Sequence, residues 1–261
     1  MMKAISIAKF EEGIINEDAA IAREDLIAVS DGAGGGGVFA DCWSKYLVER
    51  LPDEPIECFE AFDTWIDGIW ESFYNEYEVN AKAIGGMFLN KFYDEGSFAT
   101  LVAVWRNGYW ISYGDSVAFC YNRKSKEMQH SFTRLASFNN PPYLINCKDP
   151  LDEKGFTCGK FDIDEDCVVF VASDTLAHYI MMMYEVNHKQ RYGEELKEAI
   201  EAQTKNSNFI KAAMLLGSVD FEKNVICKLQ NCRTWPFLQN HIKGLQKKGL
   251  IGHDDYSLVI M

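Results

Sequence analysis

Residues 3–9 alternate apolar and polar positions, 18–23 form a short β-prone run, and 26–30 (Leu-Ile-Ala-Val-Ser) predict a buried strand that stops at Asp31. After a glycine run ending at Gly37, apolar residues recur at helical spacing (Val38, Cys42, Tyr46, Leu47, Leu51), and Pro52 and Pro55 end that helix. A second helical stretch spans 56–83. From Gly96 the period shortens to that of strands, over 98–105, 109–113, 117–121 and 128–133, and Asn107-Gly108 between the first two marks a hairpin. Residues 138–150 hold three prolines and predict a loop, whereas 167–173 form a continuous apolar strand ending at Asp174. Helical patterns then cover 176–186, 194–204, 210–216 and 236–248 before a last strand at 256–261. There is no repeat, low-complexity tract or linker, so the pattern predicts one α+β domain over 1–261, an antiparallel sheet with flanking helices.

Composition narrows the class. With 48% hydrophobic and 13% aromatic residues, the 261-residue chain has ample material for a sizeable core. Lys and Arg number 26 against 39 Asp and Glu, and a net charge of −13 argues against nucleic acid or an anionic membrane as partner. Eight cysteines form no Cys-x-x-Cys pair, which points to reduced thiols in a cytosolic protein. The first ten residues are interrupted by Lys3 and Lys9 and lack a signal peptide's apolar region, and no run approaches the ~18 apolar residues of a membrane span. The expected location is the cytoplasm.

The candidate chemistry lies in five acidic stations: Asn16-Glu17-Asp18, Asp31-Gly32, Gly114-Asp115-Ser116, Asp174 and Asp254-Asp255. Each sits where a strand-like run meets a turn, so folding would gather their carboxylates at one sheet end. Oxygen donors of this kind suit Mg²⁺ or Mn²⁺, and so many carboxylates without a cation would repel one another. The glycine run offers a rival, since Gly32, Gly34 and Gly37 satisfy the dinucleotide-binding spacing. The hairpin after Gly96 contradicts the repeated βαβ units that such a site needs. A cysteine-based phosphatase site is not supported, because it needs an activated thiolate cradled by backbone amides and Arg, and the one Cys-x5-Arg spacing, Cys227 to Arg233, encloses Lys-Leu-Gln-Asn-Cys without a glycine.

In order and spacing, the stations, together with Gly96-Ser97-Phe98-Ala99 and Val169-Phe170-Val171-Ala172-Ser173-Asp174, resemble the type 2C, metal-dependent Ser/Thr protein phosphatases (PPM family), as a divergent member of bacterial type, over nearly the whole chain. The resemblance implies a four-layer α-β-β-α sandwich, and hydrolysis of phosphoserine or phosphothreonine on a protein by a metal-activated water. It implies two Mn²⁺ or Mg²⁺ ions, with a third possible. Asp31 would bridge the two, and the Gly32 carbonyl would join one shell. Glu17 or Asp18 would serve the second ion directly or through water. Asp174 and Asp254 would complete the first shell, and Asp115 would hold a third, weaker ion or order its waters. Asp31, Asp174 and Asp254 are the residues on which catalysis is expected to depend first. The implied partners are a phosphorylated protein and a cognate Ser/Thr kinase.

Departures from the family pattern are specific. Gly13 stands where members commonly carry a phosphate-gripping Arg; Arg23 or Lys9 would substitute, although each reads more readily as a solvated surface residue. Ala33 replaces a frequent His, leaving His253 as an alternative proton donor or an exposed turn residue. His178, four residues after Asp174, reads as a further ligand favouring Mn²⁺ or as a surface or capping residue. Asp255 replaces a common Asn and adds a charge that would order a nearby Arg or Lys. The helical interval 188–250 reads either as an insertion for partner recognition or as plain core packing. Gly13, Ala33, His178 and Thr175, which follows Asp174 where the family usually has Gly, motivate a second functional reading, a catalytically impaired phosphatase fold acting as a regulatory or binding module; a nucleotide-binding enzyme built on the glycine run is the third.

Overall fold

The computed structural model describes residues 2–217 and 219–261. Strands β1 (Lys3–Ile7), β2 (Ala19–Ala22) and β3 (Leu26–Ser30) lead into helices α1 (Ala40–Glu49), α2 (Phe59–Asp67), α3 (Trp70–Ile84) and α4 (Gly86–Glu95). Next come β4 (Phe98–Ala99), β5 (Leu101–Trp105), β6 (Tyr109–Tyr113), β7 (Val117–Asn122), β8 (Met128–His130), β9 (Ile145–Asn146), β10 (Phe156–Lys160) and β11 (Cys167–Ala172). The second helical block is α5 (Asp174–Asn187), α6 (Lys189–Glu201), α7 (Lys205–Leu215), a π-helical turn at Glu222–Ile226 running into α8 (Cys227–Asn231), and α9 (Trp235–Lys247). Strand β12 (Tyr256–Ile260) closes the order.

Two five-stranded sheets form, one ordered β1-β12-β11-β7-β8 and the other β10-β6-β5-β3-β2. The period-2 alternation of each strand decides which layer each residue joins. Ile27 and Val29 of β3 meet Val102 and Val104 of β5 and, across the sandwich, Ala118, Val169, Val171 and Val259. Leu26 and Ala28 point the other way, into a core with Trp43, Leu47, Phe62 and Phe73 of the first helical block. On the far side, Phe119, Phe170 and Leu258 pack against Ile180, Ile210, Leu238 and Ile242 of the second block. Both faces of both sheets are thus covered, which is why the central strands read as unbroken apolar runs. The result is the expected four-layer α-β-β-α sandwich. All strand pairings among the described residues are antiparallel, so the crossover required by a dinucleotide-binding glycine loop is missing.

Several boundaries differ from the sequence expectation. The single helix at 56–83 is two helices broken near Gly68, and α4 follows where Gly85 and Gly86 take φ of +73° and +57°. The strand at 98–105 is interrupted at Thr100, whose N–H turns to the Asp31 carbonyl at 2.8 Å. Strand β10 was not anticipated. It is an edge strand with little apolar content, and Gly159 lets the Trp110 indole lie against it, a Cβ there falling 2.6 Å from the ring. Helices α6 to α9 contribute Leu196, Ile210, Leu229 and Leu238 to the same core as sheet residues Phe119 and Leu258, while Leu215, Trp235 and Phe237 of the same interval are exposed.

Candidate metal centre

All five stations stand at strand ends. Asp18 precedes β2, Asp31 follows β3, Asp115 lies in the turn from β6 to β7, Asp174 opens α5 directly after β11, and Asp254 precedes β12. Their carboxyls act on one another. Asp31 is pushed well above the usual carboxylate range by burial and then by the charges of Asp18, Asp174, Asp115 and Asp254. Burial, with Asp255 and Asp174 adding to it, raises Asp18 to about 8. Asp115 also rises to about 8, through burial, Asp174 and Asp254, while burial and Asp254 raise Asp174 to about 6. Asp254 is raised chiefly by burial.

The donor set fits a hard divalent cation. Both carboxylate oxygens of Asp18 are buried without a hydrogen-bond partner, an arrangement that is costly unless a proton or a cation satisfies them. Asp31, Asp115 and Asp174 keep partial solvent access although protein surrounds their carboxyls on most sides. No three Asp, Glu, His or Cys side chains among the described residues stand as a closed coordination set. The cluster is an electrostatic neighbourhood of oxygen donors, and a cation drawn into it would have to tighten it.

Hydroxyl groups hold the strand ends in place. Thr100 Oγ1 receives the Asp31 N–H at 3.2 Å and lies 2.8 Å from Ser116 Oγ, which ties the Asp31 and Asp115 stations together. Ser173 Oγ accepts the Ser257 N–H at 2.9 Å, joining the Asp174 and Asp254 stations. Ser6 Oγ takes a bond from Asn16 at 2.6 Å and another from Ser257 at 2.7 Å, bringing the Asp18 segment to the same place. Ser116 and Ser173 belong to the acidic-station motifs, but no bridging role is readable for these hydroxyls from the sequence. Their only signal was a Ser or Thr beside an acidic station, a pairing common in ordinary turns. Gly32 is fixed by close approach, since a Cβ there would fall 2.5 Å from the Glu17 carbonyl and 2.7 Å from that of Ala40.

The pair Glu17-Asp18 is split. Asp18 faces Asp31, whereas Glu17 lies against Gly34, where a Cβ would sit 1.9 Å from Glu17 Oε1 and where the backbone N–H bonds its carboxylate. Gly37 likewise permits contact with the Gly96 carbonyl, 2.6 Å from where its Cβ would be. The glycine run is therefore a packing device. Asp255 orders backbone where an Arg or Lys partner was expected: it accepts the Lys9 N–H at 2.8 Å and the Glu17 N–H at 2.7 Å. His253 is exposed, with Nε2 3.9 Å from Glu11 Oε1. His178 is neither at the surface nor among the carboxylates. Its ring meets Phe138 and Phe209, burial alone lowers it to about 4, and no carboxylate acts on it. Asp174 occupies the first position of α5 and reaches back over the sheet end, while His178 lies a turn further along, under the neighbouring elements.

The substitutes for a phosphate-gripping Arg also separate. Arg23 donates to the carbonyls of Leu51 at 2.7 Å and Val48 at 3.1 Å, capping the C-terminal end of α1. The charge of Lys9 reaches both Glu17 and Asp254, lowering each against their upward shifts. Gly13 is exposed with φ of +77°, a backbone conformation that would strain an Arg. Two clefts border the cluster: one of about 200 Å³ beside Asp115, with Pro142, Tyr143 and Lys154, and one of about 620 Å³ beside Asp254, with Thr175, Lys205 and Phe209.

Two outcomes follow for stability. Replacing Asp255 by Ala leaves two backbone N–H groups without their charged acceptor and is expected to cost about 2–4 kcal/mol in urea unfolding, with Asp255→Asn losing less. A carboxyl that keeps its proton in the fold but releases it near 3.8 when unfolded stabilises the fold at low pH, and that contribution disappears as pH rises through the folded value. The metal-free protein should accordingly lose thermal stability between pH 3.8 and about 8 through Asp18 and Asp115, and added Mn²⁺ should raise the melting temperature more at the upper end of that window.

No protein-family model matches the sequence, and no curated protein matches it. Solved structures do share its architecture. The catalytic domain of the serine/threonine protein phosphatase PstP in complex with two manganese ions is 15% identical, with a TM-score of 0.53, covering 100% of this chain and 96% of that one. The Mycobacterium tuberculosis phosphatase PstP/Ppp gives 14% identity and a TM-score of 0.55, covering 100% and 97%. PppA of Pseudomonas aeruginosa gives 15% and 0.52, covering 100% and 96%. With both sheets, both helical layers and the full length of the chain matched, this protein has the fold of the PPM-type Ser/Thr phosphatases.

Proposed function

We propose that the protein is a metal-dependent phosphoprotein phosphatase that hydrolyses phosphoserine or phosphothreonine. The observation that carries this reading is the gathering of Asp18, Asp31, Asp115, Asp174 and Asp254 from distant segments at one end of the sandwich, with Asp31 acted on by the other four. The likeness to a phosphatase bound to two manganese ions supports it. Bound Mn²⁺ or Mg²⁺ would supply an acidified water as nucleophile and offset the charge of the phosphoryl group. On this reading Asp31, Asp174, Asp254 and Asp18 are the residues that would hold the ions. Asp115, within reach of Asp31, Asp174 and Asp254, would hold a weaker third ion or order its waters.

The remaining residues set limits on the chemistry. Lys9, whose charge reaches Glu17 and Asp254, is the cation at hand to attract the substrate's phosphate. No Arg fork replaces it, since Arg23 is committed to helix carbonyls. His253, exposed next to Asp254, is the group from which the leaving alkoxide would draw a proton. The partners on this reading are a phosphorylated protein and the Ser/Thr kinase that modifies it. Among the described residues no helix is long and apolar enough to cross a membrane. Gly13, Ala33 and the open arrangement of the carboxylates favour one second reading, a fold that binds metal and regulates without turnover.

Hydrolysis of p-nitrophenyl phosphate and a phosphothreonine peptide separates the two. The proposal expects turnover with Mn²⁺ that chelation abolishes and that Asp31→Asn and Asp174→Asn each reduce at least roughly a hundredfold. Turnover that persists through chelation and both substitutions would contradict it; metal binding without turnover selects the regulatory reading.

A further inference from the structure

One cleft of the protein lies far from the carboxylates. It has a volume of about 670 Å³ and opens between the outer face of the β1/β12 sheet and the segment around α8. Strand β12 leaves the Asp254-Asp255 station at its start and reaches the cleft with Leu258 and Ile260, so at ~3.3 Å per residue the two places are separated by most of a strand's length.

The charge of this cleft is opposite to that of the protein. Lys3, Arg123 and Arg233, from three separate segments, line it, and no Asp or Glu side chain does, in a chain of net charge −13. Gln230 and Asn231 add amide groups, while Ile5, Leu258 and Ile260 give it an apolar floor. Arg123 is only partly compensated. One guanidinium nitrogen donates to Gln230 Oε1, Glu222 Oε1 lies 3.7 Å from Nε, and the buried Nε itself has no hydrogen-bond partner. Lys3 Nζ donates to the Arg233 carbonyl at 3.2 Å, which pins the Arg233 backbone at the rim. The wall carrying Gln230 continues directly from the π-helical turn at Glu222–Ile226. Such turns are rare, cost regular helical bonding, and recur at functional sites.

We infer that this cleft binds a small organic phosphate of nucleotide size, its phosphates on Arg123, Lys3 and Arg233 and its apolar body on Ile5, Leu258 and Ile260. Planar guanidinium groups suit phosphate oxygens, and the volume is that of a small-molecule site. This inference does not depend on the phosphatase reading.

Calorimetric titration of the full chain with ADP, inorganic phosphate and adenosine tests it, with chelator present so that no ligand is held through metal at the carboxylates. ADP is expected to bind, phosphate roughly tenfold or more weakly, and adenosine not measurably. Arg123→Gln and the exposed Arg233→Gln should each weaken ADP roughly tenfold with the melting temperature retained, while Lys205→Gln, in the cleft beside Asp254, should leave it unchanged. Absence of ADP binding, adenosine binding as tightly as ADP, or ADP binding indifferent to both Arg substitutions would each overturn the inference.

Discussion

Mutual repulsion among buried carboxylates is the constraint on which the rest of this structure depends. Five aspartates from segments between residues 18 and 254 are held at one end of a sandwich, and each is driven toward its protonated form by burial and most also by their neighbours. Their negative charge gains nothing from this placement in the absence of a positive one. A fold that keeps such a cluster must hold it by forces that do not involve the carboxylates, and this one does so with packed strands. Ile27, Val29, Val102, Val171 and Val259 lock the two sheets together behind the cluster, so the strand ends cannot move apart.

Around the cluster, side chains with similar chemistry have been given different work. Asp254 and Asp255 are adjacent in sequence and both add charge to the cluster, yet Asp255 also fastens the backbone at Lys9 and Glu17. Glu17 and Asp18 divide likewise, one resting on Gly34 and the other facing Asp31. Serine and threonine hydroxyls at positions 6, 100, 116, 173 and 257 bridge the stations in pairs. These neutral bonds fix geometry without adding charge to a place that already has too much of one sign.

Much of this was legible in the sequence because strand periodicity and acidic residues mark the same boundaries. The ends of β3 and β11 fall at Asp31 and Asp174, where continuous apolar runs stop, and the hairpin at Asn107-Gly108 was fixed by turn chemistry. The edge strand β10 was hidden by its polar residues and Gly159, and the second early helix was hidden as two by helical spacing that persists across Gly68. Within the site, spacing along a helix placed His178 beside Asp174, but that rule governs residues on a helix flank. A side chain at the first position of α5 answers to the sheet end, while His178 answers to Phe138 and Phe209. The work given to Asp255 depends on contacts with Lys9 and Glu17, more than two hundred residues away, which no local pattern encodes.

The most direct measurement of the central claim is a calorimetric titration with Mn²⁺ near pH ~7 in two buffers of different ionisation enthalpy, so that proton release is counted with binding. With Asp18 and Asp115 holding protons up to about 8, binding should expel protons, and Asp31→Asn should lose most of the affinity. Absence of Mn²⁺ binding, or binding that releases no proton and is the same in Asp31→Asn, would contradict a cation site built from these carboxylates.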